Sequence, residues 1–172
     1  MGMDFVELQA GDKRGIERMA QLASGIWREH YTPILGVEQL DYMIPRFQSA
    51  EAVAEQLEQG YQYRFCCVDG EPVGYMAFYP HEDHMYLSKL YLRKDARGHG
   101  YSHEMLAHVR DAALEAGLCA IELNVNRFNA GSIAAYEALG FKRVRQEKID
   151  IGGGFFMDDY VYRIDFQGGG DA

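Results

Sequence analysis

Leu87-Ser88-Lys89-Leu90-Tyr91-Leu92-Arg93-Lys94-Asp95-Ala96-Arg97-Gly98-His99-Gly100-Tyr101-Ser102-His103-Glu104-Met105-Leu106 decides how this chain is read. Its first residues set Leu87, Leu90 and Leu92 in near-alternation, with Tyr86 and Tyr91 among them, the pattern of a half-buried strand. Met105 and Leu106, with Val109 beyond, are spaced as one face of a helix. Between strand and helix lies Arg97-Gly98-His99-Gly100-Tyr101-Ser102. A helix N-terminus presents unpaired N–H groups and partial positive charge, which suits a phosphate or pyrophosphate. Gly98 and Gly100 let the main chain approach such an anion with no Cβ in the way. The same residue type also serves helix caps and tight turns, so these glycines alone leave anion binding and simple turn-making both open.

Outward from this stretch, 172 residues with 48% hydrophobic content suffice for one domain with a proper core. No apolar run approaches the ~20 residues that cross a bilayer, so no membrane partner is expected. The net charge of -9 argues against nucleic acid, whose phosphates require a basic face. It fits either solubility or long-range attraction of a cationic substrate. Cys66, Cys67 and Cys119 match no zinc spacing, and the N-terminus lacks a basic and apolar leader. The expectation is a cytoplasmic protein.

Alternation over residues 4–9 predicts a first strand. Asp12 is placed to cap a helix running to about Glu29 and broken by His30-Tyr31-Thr32-Pro33. A second helical region follows Gly36 and is interrupted at Pro45, and Ser49 caps a third that ends at Gly60. Two strands flank the Asp69-Gly70 hairpin turn, and residues 80–83 read as a polar loop. After the helix of about 100–115, a strand over 120–125 sets Glu122, Asn124 and Asn126 on one face. A helix over 129–139 and a last strand pair around Gly152-Gly153-Gly154 complete the order. Strands alternating with helices after a hairpin series predict a single α/β domain over 1–167, with a mixed sheet and a flexible tail over 168–172.

A second segment changes the weight of the first. Asn129-Ala130-Gly131-Ser132-Ile133-Ala134-Ala135-Tyr136-Glu137-Ala138-Leu139-Gly140-Phe141 follows the strand over 120–125. Arg97-Gly98-His99-Gly100-Tyr101-Ser102 before one helix and N-x-x-S-I-x-x-Y-x-x-x-G-F after the next strand together resemble the two core motifs of the GNAT superfamily of acyl-CoA-dependent N-acetyltransferases. The likeness covers roughly residues 61–166. It implies a mixed, mostly antiparallel sheet of about seven strands flanked by about four helices, with acetyl-CoA as co-substrate and no metal.

The resemblance also implies roles. Backbone amides of Arg97, Gly98, His99, Gly100, Tyr101 and Ser102 would hold the coenzyme A pyrophosphate, and the main chain of Leu90, Tyr91 and Leu92 would pair with pantetheine. Asn129 and Ser132 would contact the coenzyme, and Tyr136 would also protonate the departing thiolate. Acetyl-CoA would enter the splay between the strands ending near Leu92 and Val125. Trp27, His30, Tyr31 and Tyr42 would line the acceptor pocket, with Asn124 near the amine and Asp158 or Asp159 placed to hold it as a cation. Ser102 stands where the family usually has Gly or Ala, a small change. Asn124 stands where some members carry a catalytic Glu, and amide cannot take a proton, so Glu122, acting through water, becomes the candidate base beside His30, His84 and Asp158.

His81-Glu82-Asp83-His84 reads as a surface turn rather than a metal site. The expected activity is acetylation of a small primary amine, a polyamine included. A non-catalytic acyl-CoA sensor and a protein N-terminal or lysine acetyltransferase stand as alternatives. The family likeness also admits a homodimer.

Overall fold

A computed structural model describes residues 2–166, and the tail expected over 168–172 lies outside the described residues. The elements run β1 (Asp4–Glu7), α1 (Lys13–Leu35), α2 (Val37–Phe47), α3 (Ala50–Glu58), β2 (Gln62–Val68), β3 (Glu71–His81) and β4 (His84–Leu92). A short 3-10 turn (Lys94–Ala96) leads to α4 (Tyr101–Glu115), β5 (Ala120–Asn126), α5 (Ala130–Ala138), β6 (Lys142–Gly152) and β7 (Phe155–Asp165). The strands form a seven-stranded sheet in the order β1-β2-β3-β4-β5-β7-β6. Its β4–β5 ladder is parallel, while the β1–β2, β2–β3, β5–β7 and β6–β7 ladders are antiparallel. This is the α/β fold expected, with five helices rather than about four among the described residues.

Local chemistry explains most boundaries. Asp12 accepts from the Gly15 amide and Ser49 from the Ala52 amide, each satisfying a first-turn donor that the helix itself cannot. Asp69 and Gly70 both take positive φ, the conformation that closes a two-residue hairpin.

Three expectations are corrected. Helix α1 does not stop at His30 but runs through Pro33 to Leu35, and Gly36 N still donates to Thr32 O. Its buried stripe, Met19, Ala23, Trp27 and Tyr31, continues to the proline, and packing of that stripe offsets the hydrogen bond that proline removes. Helix α2 likewise passes Pro45, which sits in its last turn. Strand β3 extends to His81, so only Glu82 and Asp83 form the turn, with Glu82 at φ 53°.

The chain divides into two compact units: one runs through Tyr79 and includes Lys89–Met105, the other comprises Pro80–Ser88 and the chain from Leu106 onward. In the first, Met19, Leu40, Met43, Val53 and Phe78 are fully buried. In the second, Met85, Val109, Ala113 and Val161 are fully buried.

The first unit also buries a cation. Lys89, 6% exposed, donates to Phe47 O (2.8 Å), Gln56 Oε1 (2.8 Å) and the Tyr63 hydroxyl. These bonds tie the end of α2, helix α3 and strand β2 to one nitrogen. Burial draws the ammonium down to about 7, far below its value of about 10.4 in an unfolded chain. Between those values the folded state binds fewer protons than the unfolded one, so this group makes stability rise with pH across that window. Lys89→Met is expected to cost about 1–3 kcal/mol at neutral pH by leaving Phe47 O and Gln56 short of a donor. The gap to the parent should widen from about pH 7 to 10, which denaturant unfolding at several pH values would check.

Candidate active site

The glycine turn lies in the first unit. Gly98 (φ 81°) and Gly100 (φ 78°) both occupy the left-handed region, where a side chain is strained. His103 N donates to Gly100 O, which opens α4 immediately after the turn. Arg97, Gly98, His99 and Gly100 are exposed, while Tyr101 and Ser102 are half-buried at the helix start. Helix starts and left-handed turns in general offer unpaired main-chain N–H groups to anions. The Arg97 guanidinium turns back onto Leu92 O at 3.1 and 3.3 Å, joining the turn to the end of β4. Arg93 instead pairs with Glu71 and Asp95.

Leu90, Tyr91 and Leu92, all half-buried, end β4. The ladder of β4 with β5 covers Met85, Tyr86 and Leu87 of this strand. A Cβ on Gly74 of β3 would meet Tyr91 O at 2.4 Å and Leu92 Cδ2 at 2.8 Å. Gly74 therefore permits the close approach that sets the path of this strand end.

Beside it, Trp27, Tyr31 and Tyr91 form an aromatic cluster with ring centroids 5.0 to 6.0 Å apart, and the Tyr31 and Tyr91 hydroxyls are 3.1 Å apart. Trp27 and Tyr31 are buried at 5% and 6% exposure. His30 packs edge-on against Tyr31 and remains half-buried. Burial first, then the neighbouring Arg97 charge, holds the His30 imidazole below its usual value, which favours the neutral ring. Tyr42 sits on α2 under the Arg46 guanidinium, 3.6 Å from its ring centroid. The structure thus brings His30 and Tyr31 together with Trp27 and gives Tyr42 a different neighbour.

The second unit holds the other predicted residues. Asn129, 6% exposed, caps α5 by accepting from Ser132 N at 3.3 Å. Tyr136 is half-buried two turns along that helix, with its ring edge-on to Phe141 at 5.5 Å.

One face of strands β4 to β7 in this unit is polar. Register pairs Tyr86 with Glu122, Glu122 with Arg163, Asn126 with Asp159, and Glu147 with Asp159. Glu122, 5% exposed, has one oxygen on Arg163 Nη1 (2.8 Å) and the other on Arg145 Nη2 (3.2 Å), with His84 Nδ1 at 3.6 Å. Asn124 accepts from the Tyr86 hydroxyl at 2.8 Å and donates at 3.3 Å to both Glu147 Oε2 and Asp159 Oδ2. Asp158 pairs with Arg127 and accepts from Gln146.

Asp158 and Asp159, adjacent acids either of which could hold a cation by the sequence, are set apart by the fold. The pairing of β7 between β5 and β6 turns Asp159 inward, where it is 4% exposed, while Asp158 remains partly open. Gly74 went unread in the sequence, although an isolated glycine inside a strand is a signal of close backbone approach.

The sequence model of the acetyltransferase (GNAT) family matches residues 16–141. No curated protein matches the chain. Among solved structures, the PaiA N-acetyltransferase of Thermoplasma acidophilum, in complex with coenzyme A, superposes with a TM-score of 0.78 at 18% identity, over 96% of this chain and 100% of that one. The ribosomal-protein-S18-alanine N-acetyltransferase of Escherichia coli gives 0.67 at 17% identity, over 99% of this chain and 98% of that one. YncA of Salmonella typhimurium, with acetyl-CoA, gives 0.62 at 18% identity, over 97% of this chain and 95% of that one. With the family matched over most of its length and both motifs in place, the chain belongs to the acetyltransferase (GNAT) family, the acetyl-CoA-dependent N-acetyltransferases.

Proposed function

We propose that this enzyme moves the acetyl group of acetyl-CoA directly to the primary amine of a small molecule, with polyamines as the leading class, in the cytoplasm. The observation that carries the donor half is the pair of left-handed glycines at the start of α4. Main-chain amides of residues 97–102 hold the pyrophosphate, and the main chain of Leu90, Tyr91 and Leu92 holds pantetheine. A backbone N–H near Leu90 or Tyr91 donates to the thioester oxygen as charge develops there. Asn129 and Ser132, at the start of α5, steady the coenzyme.

The acceptor half draws support from charge. The chain carries 26 acidic residues against 17 basic ones, and Glu147 and Asp159 lie together on one sheet face. Both favour a cation. His30, Tyr31, Trp27 and Tyr42 shape the acceptor side, and Asp158 and Asn124 hold the amine. The nitrogen attacks the thioester carbon, and Tyr136 supplies the proton that sulfur needs to leave as a thiol.

Incubation with acetyl-CoA and pooled primary amines, read by thiol release and mass spectrometry, should show turnover with a small amine. Turnover of peptides alone would move the acceptor to proteins, and coenzyme binding without thiol release would make the chain a sensor. Tyr136→Phe is expected to lower kcat about 10²-fold while acetyl-CoA affinity stays within about twofold. Undiminished turnover across the pool would remove Tyr136 from the proton transfer. Gly100→Val forces a β-branched residue into positive φ and sets a side chain where the anion would lie. It should weaken coenzyme A binding by more than about tenfold in calorimetry, and unchanged affinity would sink the pyrophosphate assignment.

A further inference from the structure

Lys89 is a buried cation without a counter-charge. Its ammonium donates to Phe47 O at the end of α2, to Gln56 Oε1 on α3 and to the Tyr63 hydroxyl on β2. All three acceptors are neutral. Phe47 O belongs to the last turn of α2, whose carbonyls the helix itself leaves unpaired. The same corner is held again at Gln48, fully buried, whose Oε1 accepts from the Tyr75 hydroxyl of β3 at 3.0 Å. Gln48 Nε2 finds no acceptor among the described residues, so the seat is imperfect even there. The α2–α3 corner thus sits on the sheet through polar contacts, and Lys89 makes the one that joins both helices.

No neighbouring group relieves the charge. Tyr63 faces it from β2 and Tyr75 reaches the corner from β3, and burial pushes both phenols up, so both stay neutral. The charged side chains of α2 and α3, from Glu38 to Glu58, are exposed. Arg64 of β2 donates to Tyr63 O and to Gln62. Tyr31 of α1 meets β4 two residues further on, at Tyr91. Burial alone acts on the ammonium.

Both protonation states can fill every bond. As an ammonium, Nζ supplies three donors to three oxygens, while the Tyr63 hydroxyl donates to Gln56 Oε1. As an amine, Nζ keeps two donors for Phe47 O and Gln56 Oε1, and its lone pair accepts from the Tyr63 hydroxyl once that hydroxyl rotates. The two closed forms differ in charge rather than in bonding. A buried, unpaired charge is the costly one, and water is what would relieve it.

We propose that Lys89 makes the α2–α3 corner a pH-sensitive latch: protonation loosens the corner so that water reaches the ammonium, and deprotonation seats it. The seated corner releases the proton at about 7 and the lifted corner at the ordinary value of about 10.4. Seating therefore strengthens about tenfold per pH unit from about 7 to 10 and is level below about 7. Helix α2 also carries Tyr42, assigned above to the acceptor side, so the latch would tie that side to pH. The latch itself does not rest on that reading.

Native-state hydrogen exchange of the full chain, corrected for the chemical exchange rate at each pH, tests the latch from about pH 6 to 9. Amides of residues 47–56 should exchange through a local opening, at least about tenfold less protected than the slowest amides of the chain. Their protection should climb about tenfold per pH unit above about 7, and Lys89→Met should flatten that climb. A corner that opens only with the whole chain, a flat profile in the parent, or a slope that Lys89→Met keeps would overturn the latch. Where Lys89→Met folds poorly, the Lys89 Cε resonance of the parent decides. A titration midpoint at least about two units below the ordinary lysine value is expected, and a smaller shift would overturn the proposal.

Discussion

Strand β7 lies between β5 and β6, and the chemistry of the second unit depends on that placement. Antiparallel pairing on both sides turns Asp159 and Arg163 to the same face as Asn124 and Glu122 on β5 and as Arg145 and Glu147 on β6. A buried carboxylate such as Glu122 is tolerable only with partners, and it has two guanidiniums. Stripping both would leave an uncompensated buried charge, the situation that costs about 3–5 kcal/mol when a buried pair is broken. The network therefore holds three strands in register as well as setting the electrostatics of the face.

Within that network the groups divide by how completely they are satisfied. Glu122 has a guanidinium on each of its oxygens. Asp159 is half engaged, with one buried carboxylate oxygen lacking a hydrogen-bond partner among the described residues. The difference comes from a single position along β7, because Arg163 reaches Glu122 while the donor beside Asp159 is the amide of Asn124. The first unit works with different materials. There the turn before α4 is built on left-handed main chain at Gly98 and Gly100, and the buried Lys89 ammonium ties α2, α3 and β2 together through neutral oxygens.

Much of the fold was legible because its signals are local. Asp12, Ser49 and Asn129 cap helices as short polar side chains do wherever first-turn amides need an acceptor. Asp69-Gly70 closes its hairpin for a backbone reason that no distant residue alters. The prolines misled for the converse reason. At Pro33 the local rule predicts a break, but the buried stripe through Trp27 and Tyr31 holds the helix on course. The contact that makes Gly74 necessary involves Tyr91 and Leu92, far along the chain, so the strand pattern around it showed only a weak place.

The sequence by itself determined the family and the donor-side motif, since a strand, two glycines and a helix start carry their chemistry in consecutive main-chain atoms. It also determined that Asn124 cannot serve as a base. Which of two adjacent carboxylates is buried was decided only by tertiary structure. Asp158 and Asp159 are adjacent and chemically alike, and alternation along β7 sends one toward Arg127 and the other into the buried face. Strand order and register then supply the neighbours, and neighbours rather than residue type govern how a carboxylate is charged and held.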